Sequence, residues 1–167
     1  MEDRIKRVRQ LLGEIRHVAL ATVNSDGTPH NTPVFAALDD KLCAYWASRI
    51  DSEHSLNIAA SGNVFLVLFD SREGHGGLYI EGKAHIAQDG SEFSYALEIF
   101  RKAKHTRGRT IPGASHFQNP SSQRLYKLTP NRLWINISVH DKDGLVVRDI
   151  RREVSVKELT DNLYAQA

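Results

Sequence analysis

His17-Val18-Ala19-Leu20-Ala21-Thr22-Val23-Asn24-Ser25-Asp26-Gly27-Thr28-Pro29-His30, with Pro33-Val34-Phe35 close behind, is the stretch on which the fold turns. Its first seven residues are apolar on both alternating faces, Val18 and Leu20 against Ala19 and Ala21, which suits a strand covered on both sides. Asn24-Ser25-Asp26-Gly27 carries the Asp-Gly signal of a tight hairpin, because glycine accepts the positive φ that such turns need. The chain is therefore expected to return antiparallel over residues 29–38.

Working outward, Ile5, Val8, Leu12 and Ile15 recur among charges at near-helical spacing and predict an amphipathic helix over 3–15 that covers one end of the core. Downstream, Asp39-Asp40 opens a turn, residues 42–47 read as a third strand, 52–60 as a short helix, and 64–69 as a strand apolar on both faces. Residues 78–86 alternate, with Leu78, Ile80, Gly82, Ala84 and Ile86 opposite Tyr79, Glu81, Lys83 and His85, so one side faces water. Phe93, Leu97, Phe100 and Lys104 follow helical spacing. The Gly-, Pro- and Ser-rich stretch 105–119 reads as a long, mobile loop, and Gly74 to Gly77 as a flexible turn. Strands are expected at 125–128 and 133–139, the latter with Leu133, Ile135, Ile137 and Val139 inward and a conspicuous Trp134 on the polar face. After the turn at Asp143-Gly144, residues 145–148 and 153–156 read as extended, and Val156, Leu159 and Leu163 close the chain with a helix. Many antiparallel strands with few helices give a mainly β fold; periodicity leaves barrel and sandwich open.

The 167 residues fit one domain, 1–167, with a core that needs no staples. A single Cys43 rules out an internal disulfide and reads as a buried small hydrophobe. The charged N-terminus lacks the apolar core of a signal peptide, which predicts a cytoplasmic protein. No run approaches the roughly 18 apolar residues of a membrane helix. Net charge is only +2, but residues 99–140 contain no Asp or Glu while carrying Arg101, Lys102, Lys104, Arg107, Arg109, Arg124, Lys127 and Arg132. That window reads either as a solvated basic loop or as a site for a phosphate-bearing ligand. Nucleic acid is disfavoured, since residues 101–109 interleave no aromatics. The eight histidines form no metal-ligand spacing, so no metal site is expected, and no Ser/His/Asp or Cys/His pairing emerges.

The chemistry-bearing stretch is Tyr45 to Ile58, where a strand runs through a hydroxyl-rich turn into a helix. The first turn of a helix leaves backbone N–H groups unpaired, and Ser48, Arg49 and Ser52 add donors toward an anion there. Asp51 or Ser52 acting as a simple helix cap accounts for the same residues.

Residues 17–30 with Pro33-Val34-Phe35 resemble the opening hairpin of the FMN-binding split barrels, the family that includes pyridoxamine 5′-phosphate oxidase. Ser48 to His54 falls where that family grips the FMN phosphate, and Ile80-Glu81-Gly82-Lys83-Ala84-His85 is similar to its later Gly-containing strand. The resemblance implies an antiparallel split β-barrel with a few flanking helices and a homodimer holding FMN at its interface. NAD(P)H or another small molecule would be the second reactant. It implies that Thr32, Pro33 and Val34 face the flavin ring, that Ser48, Arg49, Ser52 and His54 hold the phosphate, and that Trp134 and Arg151 approach from the other subunit. The pattern differs where Glu53-His54 replaces an Arg-Lys pair, Thr32 an Arg and Gly77 a Gln. Because some split barrels bind haem, the resemblance also allows a haem-binding or non-catalytic protein.

Overall fold

A computed structural model describes residues 2–71, 76–88, 90–105, 108, 110 and 113–164. Among these, the order is α1 (Glu2–Glu14), β1 (His17–Val23), β2 (Pro29–Leu38), β3 (Ala44–Arg49), α2 (Glu53–Ser61), β4 (Asn63–Phe69), β5 (Gly77–Ile86), α3 (Ser91–His105), a 3-10 turn at Ala114–Phe117, β6 (Gln123–His140), β7 (Val146–Val154) and α4 (Val156–Tyr164). All neighbouring strands are antiparallel, in the order β3-β2-β1-β4-β5-β6-β7, and β3 also pairs with β6. That last pairing closes β1 to β6 into a six-stranded barrel and decides between barrel and sandwich.

β6 makes the barrel split. Its first part, 123–128, pairs with β3, and its later part, 133–140, pairs with β7 on the edge that β3 has left. The sequence reading broke this strand in two around Thr129-Pro130-Asn131. It continues through a bulge: Glu81 pairs with Arg132 but Gly82 with Pro130, so Asn131 is the extra residue on β6. Proline is tolerated at such a bulge. Glycine is required there, since a Cβ at position 82 would lie 2.2 Å from the Thr129 carbonyl oxygen. Residues 145–148 and 153–156, expected as separate pieces, likewise merge into β7 up to Val154. The third strand begins at Ala44, because Leu42 adopts φ 61° in the preceding turn.

Register fixes which side chains face inward. Val18, Leu20, Val34, Trp46, Leu66, Leu68, Leu78, Ile80, Leu128 and Leu133 fill the barrel, with Trp46 stacked on Tyr126 at 5.6 Å. Val8 and Leu11 of α1 and Leu159 and Leu163 of α4 join that core, and Arg9 donates to the Asn162 and Leu163 carbonyls at the end of α4. A second cluster lies outside β3 and the start of β6, where Phe93, Ala96, Leu97 and Phe100 of α3 cover Cys43, Tyr45 and Leu125. Phe117, in the stretch read as loop, is buried in the same cluster. Residues 106, 107, 109, 111 and 112 of that stretch lie outside the described residues, as do Gly74, His75 and the Ile137 side chain. No helix among the described residues is long and apolar enough to cross a membrane.

Candidate functional site: the barrel mouth and an aromatic outer face

β1, β3 and β5 end, and β2, β4 and β6 begin, at the same end of the barrel, which α2 covers. The inward positions at that mouth are polar: Thr22, His30, Ser48 and Arg124 occupy paired sites on β1, β2, β3 and β6. Asn57 of α2 donates to Thr22 Oγ1 at 3.0 Å and to Asn24 Oδ1 at 2.8 Å, which fixes the helix over the opening. His54 is buried, with Nε2 2.7 Å from Ser48 Oγ and 3.2 Å from Ser52 Oγ. Burial pushes its pKa below the ordinary histidine value, and nearby His30 pushes the same way, so His54 is neutral at pH 7.

Ser52 stands at the cap position of α2, but no side chain caps the first turn. Its hydroxyl lies instead 2.8 Å from the Arg49 carbonyl and from Ser55 Oγ. Nor is Asp51 the cap. It accepts two hydrogen bonds from Arg49, at 2.8 and 2.6 Å, an exposed pair in which each group favours the charge of the other.

A second group of residues lies on the outside of the sheet. Cross-strand register aligns Pro33, Ala19, Val67, Tyr79, Trp134 and Glu153 in one row, and Asn31, Ala21, Phe65, Glu81 and Arg132 in the next. The Phe65 ring lies 5.8 Å from Trp134 and 6.2 Å from Tyr79. The Arg151 guanidinium covers Tyr79 at 4.0 Å, and that of Arg132 lies 4.7 Å from Trp134 while pairing with Glu153. Such rings over cations are mutually attractive.

The predicted residues thus fall into two sets. Ser48, Ser52 and His54 meet at the mouth with Arg49 beside them, and Trp134 and Arg151 share the outer face through Tyr79. No hydrogen bond or ring contact among the described residues joins the sets. Thr32 and Val34 point inward, opposite Leu20 and Val18, while Pro33 between them is exposed on the outer face. The reading missed Phe65, Tyr79 and Arg124. Tyr79 looked like one more solvent-facing residue of an alternating strand, and Arg124 was hidden among the eight bases of its window.

The family model for pyridoxamine 5′-phosphate oxidase matches residues 5–136. The chain belongs to that family. Within the pyridoxamine 5′-phosphate oxidase family it shares its fold with a protein from Clostridium acetobutylicum described as related to general stress protein 26, at 14% identity and TM-score 0.64, over 95% of this chain and 99% of that one. A haem-binding protein from Mycobacterium smegmatis is similar at 16% identity and TM-score 0.67, covering 94% of this chain and 60% of the longer relative. The haem storage protein HutZ from Vibrio cholerae follows at 18% identity and TM-score 0.62, over 77% of this chain and 91% of that one. No curated protein matches by sequence.

Proposed function

We propose that this member of the pyridoxamine 5′-phosphate oxidase family binds FMN between two copies of the chain and acts as an oxidoreductase on a small molecule or NAD(P)H. The observation that carries this reading is a mismatch between sequence and protomer. β1 and β4 have the apolar pattern of strands covered on both faces, yet Ala19, Ala21, Phe65 and Val67 on the outer face remain only half-buried. A second copy laid on that face covers them and carries its own Trp134 and Arg151 toward the neighbouring mouth.

The mouth fits a phosphate as a set of hydrogen-bond donors: the Ser48 and Ser52 hydroxyls, the His54 imidazole and the uncapped first turn of α2. Arg49 is shared with Asp51 and His54 is neutral, so neither of these two offers a free positive charge. The backbone of Thr32, Pro33 and Val34 would support the flavin ring. Bound FMN supplies the electron chemistry, so the chain itself needs no acid–base pair. Its own residues bind and orient, and the apolar outer face excludes water from the interface.

A second reading, haem binding without turnover, is supported by the haem binding and haem storage described for two of the similar structures. The visible spectrum of freshly purified protein separates the two: a flavin double band is expected, and a Soret band would favour haem. In an FMN titration, Asp51→Asn should tighten binding several-fold by releasing Arg49, a charge-assisted donor. Failure of folded dimer to bind FMN at high micromolar concentration would overturn the flavin reading.

A further inference from the structure

We propose that Arg124 is the anion-binding cation of the barrel mouth, and that the ligand it selects carries a phosphate monoester; this rests on reading the mouth as the phosphate end of the cofactor site. Arg124 faces inward on β6, directly opposite Ser48 in the β3–β6 ladder. Residues so paired have Cβ atoms about 5 Å apart. The Ser48 hydroxyl across from Arg124 lies 2.7 Å from His54 Nε2. That same nitrogen lies 3.2 Å from Ser52 Oγ. Arg124 is therefore part of the wall that carries Ser48, Ser52 and His54.

What distinguishes Arg124 is its set of partners. The half-buried guanidinium donates to the Ser121 and Gln123 carbonyls, at 2.6 and 2.7 Å, and to Asn119 Oδ1. These acceptors hold it in place without neutralising it, and no carboxylate pairs with it among the described residues. The backbone between, from Ser122 to Ile50, is itself tied by a 2.9 Å hydrogen bond, so the loop that holds Arg124 is anchored to the turn after β3. Arg49, by contrast, is exposed and already matched with Asp51. A positioned, uncompensated cation in a partly desolvated wall has most to gain from a dianion, and costs little ordering when one arrives.

The experiment compares inorganic phosphate, FMN and riboflavin as probes of wild type, Arg124→Gln, Arg124→Lys and the exposed control Lys142→Gln, which loses the same charge from the β6–β7 turn. Arg124→Gln should weaken phosphate and FMN by about tenfold or more. It should leave riboflavin unchanged, since riboflavin lacks the phosphate; Arg124→Lys should retain most of the affinity and Lys142→Gln all of it. In isotope-labelled wild type, the Arg124 Nε–Hε resonance should shift on adding phosphate, a measurement independent of whether a variant folds. Wild-type affinity for phosphate in Arg124→Gln, or an Arg124 resonance indifferent to saturating phosphate, overturns the assignment. If phosphate moves that resonance while neither flavin binds, Arg124 stands and the flavin reading falls. If FMN and riboflavin bind equally and phosphate has no effect, the reverse holds.

Discussion

Glu92 shows how one side chain joins three elements. Its carboxylate accepts from the Gln88 amide at 2.8 Å and from Lys127 Nζ at 2.9 Å, and lies 3.2 Å from His85 Nε2, tying α3 to β5 and β6. Partial burial pushes its pKa upward, but the Gln88 amide, Lys127 and His85 together bring it down to about 2 from 4.5. A carboxylate with a lowered folded pKa adds stability that is complete above pH 4.5 and disappears as pH falls toward 2. Glu92→Gln should therefore cost about 1–3 kcal/mol at neutral pH in denaturant unfolding. The gap from wild type should close progressively below pH 4.5; a gap independent of pH would mean that the ion pairing contributes nothing. Only the Gln88 contact is local; His85 and Lys127 reach Glu92 from β5 and β6, so the sequence offered no sign of the full cluster. The reverse holds for Ser48 and Ser52, whose place in a strand–turn–helix junction was legible because hydroxyls before an amphipathic run have a local physical meaning.

Elements were legible wherever their signal is local. The β1–β2 hairpin formed as its Asp-Gly turn required, with Gly27 at φ 85°. Both helices flanking the barrel core, α1 and α4, appeared where apolar spacing placed them. β6 was misread because Pro130 normally ends a strand, and its continuation depends on a bulge at Asn131 together with a glycine, Gly82, in the neighbouring strand. Gly82→Ala should expose that dependence. The new Cβ cannot coexist with the Thr129 carbonyl, a backbone atom unable to move aside without disturbing the β5–β6 ladder. A loss of about 3 kcal/mol or more is expected, read as a lower unfolding midpoint. An alanine variant as stable as wild type would show that the bulge relaxes freely.

The molecule as a whole presents a sheet face that its own helices do not cover. α3 shields the outside of β3 and early β6, whereas the face centred on Phe65, Tyr79 and Trp134 stays half-exposed. If two copies meet there, Phe65→Glu should convert the dimer to a monomer in sedimentation at micromolar concentration while leaving the fold intact, because the substituted side chain lies outside the barrel core. Unchanged sedimentation would place the contact elsewhere. By itself the sequence determined the antiparallel β class, the opening hairpin, the helices at either end and the polar turn before α2, all consequences of side-chain period and turn chemistry acting over a few residues. Only the tertiary structure decided that the sheet closes through β3 and β6, that Arg49 is taken up by Asp51, and that Arg124 stands across from Ser48. The first and last of these depend on register between segments some 75 residues apart, and a register is settled by packing the whole core, not by any one stretch of chain.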